Sequence, residues 1–375
     1  MPSRSSKKVL VSIPTAQYAE RLKLEGVLRF AHEKRGDRWD VVIDVGGRIG
    51  PDISGLIAYV TSDAHRRKML AAGLPTVLIE DLLEPKSPSR RRNVVTLLCD
   101  HEAEGRTAAR HFLGRHYRNF AFIGTDAGWS RRRENGFVRT LKDAGFSCPV
   151  VDIEDLRSLP KPCAIFAAHD ILARRALAAA EEHGIAIPAD MAVLGVDDDE
   201  VMCTTSAPAL SSIPTFDRSL GYAAGRALNE LFAGERGGRV IRTRHTQVVT
   251  RTSTEKDAVD DPFVARTLDW ARQHLSDNLN VAALARRIGC SKSLLQLRVE
   301  RTLGAPLGEV IRRLRLTEAE DLLAHTDRSI GEIAEQCGFT SASHLSLRLK
   351  EACGKTPLAY RHQAKLRPKF RAEFR

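Results

Sequence analysis

The chain has 375 residues, 43% hydrophobic and 28% charged, with a formal net charge of +11. That length favours two or three domains, and the composition is that of an ordinary globular protein, excluding fibrous and disordered classes. Seven cysteines at irregular spacing, with no CxxC pair, argue against a zinc site or disulfide framework and for reduced thiols.

From residue 9 to about 252, short apolar runs alternate with longer helical patterns. Strands are predicted at 9–14, 39–44, 55–60, 76–80, 120–125, 163–168 and 192–198, and helices at 19–33, 104–115, 132–144, 171–183 and 220–232. The strands are short, β-branched and apolar on both faces, as strands inside a parallel sheet must be. This alternation predicts a doubly wound α/β domain over 1–252. Its two lobes are expected at roughly 8–116 and 117–212, with the chain crossing back after 212. The loop at 84–93, rich in Pro, Ser and Arg, reads as an exposed excursion. The run VLVSI is too short for a signal-peptide core, and no apolar stretch reaches the roughly 20 residues of a membrane span. A cytoplasmic protein with no membrane partner is expected.

A polar segment at 253–262 closes with Pro262 and is expected to be a linker. Beyond it the strand pattern stops, and 263–365 reads as an all-α domain followed by a basic tail at 366–375. From Pro262 onward there are 20 Lys+Arg against 12 Asp+Glu, while the residues before it carry 38 against 35. The excess positive charge therefore sits in the last third, where a partner rich in phosphates would be met.

That third contains an internal repeat, VAALARRIGCSKSLLQLRVERTLG at 281–304 and IGEIAEQCGFTSASHLSLRLKEACG at 330–354. Ala285 and Gly289 match Ala334 and Gly338 at an offset of 49, and Leu295, Val299 and Gly304 match Leu345, Leu349 and Gly354 at an offset of 50. Each copy has the parts of a helix-turn-helix. A small residue admits the second helix, a glycine takes the positive φ that ends the first, and Ser291 or Ser341 caps the second. The leucine and its partner four residues on face inward, which leaves the opposite face for a major groove. The residues between, 308–329, read as one long helix carrying Arg312, Arg313 and Arg315. Such a connector can hold two recognition helices about one DNA turn, roughly 34 Å, apart.

The run 281–361, ending GKTPLAYR, resembles the AraC/XylS family DNA-binding domain. The resemblance implies double-stranded promoter DNA as a partner. It places Ser291, Lys292, Ser293, Gln296, Leu297 and Arg298 of the first copy at the DNA, with Ser341, Ala342, Ser343, His344, Ser346, Leu347 and Arg348 of the second. The sequence departs from the family at Leu297 and Leu347, where an arginine is common. That shifts weight from direct base readout towards phosphates and DNA shape.

The first 250 residues resemble the LacI/GalR-type periplasmic-binding-protein fold without that family's own DNA-binding helices. The resemblance rests on DHEAEGRTAARHFL (100–113), FAFIGT (120–125), WSRRRENGF (129–137), IFAAHDILA (165–173), VLGVDDDE (193–200) and PALSSIPTFDRSLGYAAGRAL (208–228). Such a sensor ahead of an AraC-type reader is the arrangement of the xylose-operon activator family, which this chain resembles. The resemblance implies a small sugar effector, D-xylose first, an activator that meets RNA polymerase, and a homodimer paired along the helix at 19–33. A sugar site needs charged groups for hydroxyls and a ring for the apolar face. By resemblance Arg133, in the Arg-x-x-Gly-Phe pattern, and Asp197, at the end of VLGV, bind the sugar. Trp129 is either the stacking platform or loop packing, Asp170 either a ligand group or a helix cap, and Asp100 and Phe216 are further candidates. The AAHD stretch carries His169 where related sensors often have Asn.

No cofactor or metal motif is present. The chain lacks G-x-S-x-G, H-E-x-x-H and a P-loop, which argues against the alternative of a sugar-processing enzyme. A ligand-independent DNA-architectural protein is the other alternative.

Overall fold

Strands apolar on both faces are stable only where helices cover both sides of their sheet. A computed structural model of the protein has this arrangement twice, followed by a string of helices; it describes residues 6–34, 38–82, 87–242, 247–255, 258–259, 261–277, 279, 281–326 and 328–365. The expected basic tail at 366–375 lies outside the described residues, as do residues 84–86 of the loop at 84–93.

The first lobe is built by β1 (Lys7–Ser12), α1 (Tyr18–Glu33), β2 (Trp39–Ile43), β3 (Gly55–Val60), α2 (Asp63–Ala71), β4 (Thr76–Glu80) and β5 (Val94–Leu98). The second is built by α3 (His101–Leu113), β6 (Asn119–Ile123), α4 (Gly128–Asp143), β7 (Cys163–Ala167), α5 (Asp170–Glu182), β8 (Met191–Asp197), α6 (Glu200–Thr205) and β9 (Ser211–Pro214). The chain then returns to the first lobe with α7 (Asp217–Phe232) and β10 (Arg239–Arg242). Both sheets are parallel, in the orders β10-β5-β4-β3-β1-β2 and β6-β7-β8-β9. In the first, alternate residues feed opposite cores: Val9, Val11, Ile57 and Val77 face α1 and α7, while Leu10, Leu56, Ala58 and Leu78 join Met69 of α2.

Two expected boundaries shift. The chain leaves the first sheet at Leu98, not near 116, because Ala108, Ala109 and Phe112 of α3 are buried in the second lobe's core. Helical periodicity marks a buried face but not the sheet it covers. The expected linker at 253–262 also begins too early. Ser253 and Thr254 are fully buried, and the Ser253 hydroxyl donates to the Val193 carbonyl at 2.6 Å. Together with the bridge between Ser212 and Val249, they make this stretch a third crossing back to the second lobe.

The sequence reading overlooked β5 (VVTLL), which carries the strand signal in full; the other elements absent from it lack such signals. α2 buries only Met69, β9 (SSIP) is half serine, and β10 (RVIR) flanks two apolar residues with arginines. Several helices begin before the predicted start because an unforeseen cap starts them: Asp100 accepts from the Ala103 amide, and His169 accepts from that of Leu172.

The helical part runs α8 (Pro262–Gln273), α9 (Val281–Ile288), α10 (Lys292–Leu303), α11 (Leu307–His325), α12 (Ile330–Gln336), α13 (Ala342–Cys353) and α14 (Pro357–Lys365). α11 is shared between two small cores. Leu307, Val310, Ile311 and Leu314 pack with α8, α9 and α10, while Ala319 and Leu323 pack with α12 and α13. Arg315 is not on an open face: it donates to the Asp277 carbonyl at 3.0 Å and braces one unit against the other.

Candidate functional site

Two helix crossings set the walls of the cleft between the lobes. In the first lobe α1 crosses α7 at Gly26 and Gly221, where an added Cβ would lie 2.0 Å from the Arg218 oxygen and 1.8 Å from that of Lys23. In the second, α3 crosses α4 at Gly105 and Gly136, with Cβ positions 2.0 Å from the Arg133 oxygen and 2.1 Å from that of Glu102. Only glycine permits such an approach of two backbones. Each crossing carries a buried ion pair at its N-terminal side. Lys23 Nζ lies 2.5 Å from Asp217 Oδ1, and Arg133 pairs with Glu104.

The two pairs face a common cleft of about 530 Å³, open mouth included. Lys23, Asp217, Tyr59 and Asp81 line it from the first lobe, and His101, Glu104, Trp129, Arg133, His169 and Asp197 from the second. Lys23, Asp81, Glu104, Arg133 and Asp217 are each no more than 5% exposed. Burying this many charges is poor construction for stability alone, since apolar replacements of buried pairs are often neutral or better. Their concentration in one cleft makes it the candidate binding site. Asp81 also bridges the lobes: it accepts from the Tyr59 hydroxyl at 2.8 Å, pairs with Arg132, and lies 3.4 Å from the His101 ring.

Burial opposes the Arg133 charge, but Glu104 and Asp197 outweigh it, and its pKa lies above the ordinary value. Burial pushes the Asp197 carboxyl well up, with Arg133, 3.9 Å away, pulling it back. Burial, with help from Arg133 and Arg175, pushes the His169 imidazole down to about 4. At neutral pH His169 is uncharged. Its Nδ1 accepts from the Leu172 amide, so its Nε2 carries the proton.

Asp197 and Asp198 sit at φ 113° and 51°, backbone that a non-glycine residue adopts only when its surroundings hold it there. Asp170 supplies that hold. Its carboxylate accepts from the Ser212 hydroxyl at 2.6 Å, the Asp199 amide at 2.9 Å and the Cys203 thiol at 3.4 Å. Gly195 makes room for it, since a Cβ there would lie 2.1 Å from Asp170 Oδ1. Arg251 pins Asp198 from the other side at 2.8 Å. The resulting turn presents Asp197 to the cleft.

Of the candidates from the sequence, Trp129, Arg133, Asp197 and Phe216 line the cleft, and Asp100 and Asp170 do not. Asp100 is the N-cap of α3 and pairs with Arg106; Asp170 positions the Asp197 turn. Trp129 has the Arg133 guanidinium 4.9 Å from its ring centroid and the His169 ring at 5.5 Å. Sequence reasoning missed Lys23, Glu104 and Asp217. The sequence signal was a charged residue up to four positions before a mid-helix glycine, in all three cases, but that pattern alone does not say which helices cross.

In the helical part the expected turns are present. Gly289 and Gly338 adopt φ 79° and 70°, and Ser291 and Ser341 accept from the amides of Leu294 and His344. Leu295, Val299, Leu345 and Leu349 are fully buried. Lys292, Ser293, Gln296 and Leu297 of α10, and Ser343 and Leu347 of α13, are exposed. Ala342, His344 and Ser346 are half-buried; Ser346 donates back to the Ala342 carbonyl at 2.8 Å. The arginines are held within their own units. Arg298 pairs with Asp261 at 2.9 Å and lies over the Phe263 ring, and Arg348 reaches His344 Nε2 at 3.3 Å and Glu351 at 2.9 Å. Among the described residues no helix is long and apolar enough to cross a membrane.

Comparison with known proteins agrees with both halves. Residues 109–254 match the periplasmic binding protein-like domain family, and residues 284–363 match a helix-turn-helix domain family. The xylose operon regulatory protein of Escherichia coli is 26% identical over 372 residues, covering 91% of this chain and 93% of that protein. The structure of a xylose-binding transcription activator superposes with a TM-score of 0.59 at 24% identity, covering 96% of this chain and 98% of that one. A lac repressor dimer bound to operator shares the fold of the first part, with a TM-score of 0.55 at 21% identity over 67% of this chain and 95% of that one. These relatives are regulators, not enzymes. The chain is a DNA-binding transcriptional regulator that carries a periplasmic-binding-protein-like domain ahead of an AraC-type helix-turn-helix domain, homologous over nearly its whole length to the xylose operon regulatory proteins.

Proposed function

We propose that the chain is a cytoplasmic, sugar-responsive transcription activator whose effector is D-xylose or a close pentose. The observation that carries this reading is the pair of buried ion pairs, Lys23–Asp217 and Arg133–Glu104, set opposite one another with Asp197 in one interlobe cleft. Carboxylates accept from sugar hydroxyls and the cations donate to them, so a ring of hydroxyls can be satisfied from both lobes at once. A ligand that needs both lobes favours their closure.

The proposed route to the DNA-binding part is α3. It carries Glu104 into the cleft, and His111 near its far end lies 2.9 Å from the Thr254 hydroxyl. Just beyond, Arg115 donates to the Glu255 carbonyl at 2.6 Å, and the Gly114 carbonyl accepts from Arg272 of α8 at 3.0 Å. Movement of α3 therefore pulls on the segment that leads into the reader. The active unit is proposed to be a homodimer on promoter DNA, in contact with RNA polymerase.

Calorimetric titration of the full chain with D-xylose, other pentoses and hexoses tests this. Saturable binding of one pentose, accompanied by a change in affinity for promoter DNA, is expected. Binding of no sugar in the series would overturn the reading.

A further inference from the structure

The outermost residues of both recognition helices are leucines. At 3.6 residues per turn, a residue two positions from its neighbour is turned by about 200°. Leu297 stands two positions from both Leu295 and Val299, which are fully buried, and so points directly away from the core. Leu347 stands in the same relation to buried Leu345 and Leu349. Leu297 is 64% exposed and Leu347 is 54% exposed. Both are the sixth residue of helices that begin at Lys292 and Ala342. An apolar residue at the apex of one helix is an ordinary accident of a surface. The same residue at the same register in both copies, on the face a helix-turn-helix inserts into the groove, calls for an explanation.

Charge complementarity identifies the occupant. Exposed cations stand on the same helices, Lys292 and Arg301 in α10 and Lys350 in α13, beside the acidic Glu300 and Glu351, while Arg298 and Arg348 are engaged by Asp261 and Glu351. Open cations of this kind suit a helix that meets phosphates. Within the major groove leucine has nothing to offer a polar base edge. Covering the N7 and O6 of guanine or the N4 of cytosine would strip those atoms of water without replacing the hydrogen bond. The one apolar feature of the groove is the C5 methyl of thymine.

We infer that Leu297 and Leu347 each read a thymine methyl, so that the two halves of this chain's binding site carry thymine at corresponding positions. The inference rests on the DNA-binding function stated above. It replaces, at these positions, the guanine contact that an arginine would make with an apolar one.

The test uses the full chain, with and without D-xylose. Duplexes enriched by the protein from a random-sequence pool supply the sites. Each thymine in them is then replaced singly by deoxyuridine, which removes only the methyl group. One replacement in each half of the site is expected to weaken binding about fourfold, the equivalent of one methyl-sized burial. Leu297→Ala should become blind to the replacement in one half while still sensing the other, and Leu347→Ala the converse. Leu297→Arg should move the preference at its position from thymine towards guanine. The substituted side chains are exposed, so the fold is not at stake. If no replacement weakens the wild type, or both variants keep full sensitivity, the inference is overturned. It is equally overturned if the variants alter oligomeric state or transcription while sequence preference stays intact, since the leucines would then face a protein. Enrichment of sites with silent replacements sinks this inference alone, whereas a pool with no enrichment sinks the DNA-reading function with it.

Discussion

Asp197 illustrates how a single residue in this cleft is held for use. Its φ of 113° lies in the region that Asn and Asp tolerate better than other side chains, and burial raises its pKa. Asp197→Asn therefore keeps the turn and removes a charge that burial disfavours. The expected outcome is an unchanged or slightly higher melting temperature with sugar affinity lowered about 10- to 100-fold, the worth of a charge-assisted hydrogen bond. Calorimetry and thermal melts on the same sample separate the two effects. Arg133→Ala should behave differently. It leaves the fully buried Glu104 with the His101 ring at 3.1 Å but without its guanidinium, and a broken buried pair of this kind costs about 3–5 kcal/mol. Adding Glu104→Gln should recover part of that loss in a denaturant titration, and neither variant should respond to sugar. Two half-buried histidines contribute a pH dependence. Burial, helped by neighbouring arginines, depresses the pKa of both His111 and His169 in the folded state. As pH falls below the unfolded value near 6.5, the unfolded chain takes up protons that the folded chain refuses. Each site then lowers stability by about 1.4 kcal/mol per pH unit, until the folded pKa is reached. The Asp170 and Asp197 carboxyls, raised by burial, take up protons in the folded chain over the same range and oppose this loss. The check is therefore a difference curve: His111→Gln should gain stability relative to the wild type as pH is lowered from 7 to 5.

At the scale of elements, the two glycine crossings decide the shape of the cleft. Gly221→Ala would push a Cβ to 1.8 Å from the Lys23 carbonyl, with backbone rather than a flexible side chain in the way. Separation of α1 from α7 is the expected response, at about 1–3 kcal/mol of stability. Because Lys23 and Asp217 sit on those two helices beside the crossing, sugar affinity should fall as well. An unchanged sugar affinity in the alanine variant would remove the Lys23–Asp217 pair from the site. The alternating pattern of strands and helices made most of these elements legible. Seven of the ten strands are visible as β-branched runs. Of the other three among the described residues, Ser211–Pro214 and Arg239–Arg242 are short and polar, and Arg239–Arg242 is held by pairing to Val94–Leu98 far along the chain. Val94–Leu98 (VVTLL) instead carries the same apolar, β-branched signal as the strands that were found and was overlooked.

The whole molecule divides into a sensing part and a reading part with different charge. Removal of everything after Asp261 should spare sugar binding and abolish DNA binding. For the intact chain, the positive excess after Pro262 predicts a steep salt dependence. If the two helix-turn-helix units together neutralise six or more phosphates, affinity should fall about a thousandfold or more between roughly 50 and 200 mM salt. Binding measured across that range checks it, and a flat response would mean that the basic third meets no phosphate backbone.

The amino-acid order by itself determined what depends on neighbours in the chain. The sheet-forming runs, the two helix-turn-helix copies, the Ser291 and Ser341 caps, the glycine turns and the buried pairs Leu295–Val299 and Leu345–Leu349 all follow from periodicity and local backbone preference. Only the tertiary structure decided what depends on residues far apart. It assigned α3 to the second lobe, gave Asp170 to the Asp197 turn instead of the cleft, and brought Lys23 to Asp217 and Glu104 to Arg133. A buried charge is stable only beside a partner, and the partner here lies on another helix, at a distance along the chain that no local pattern encodes.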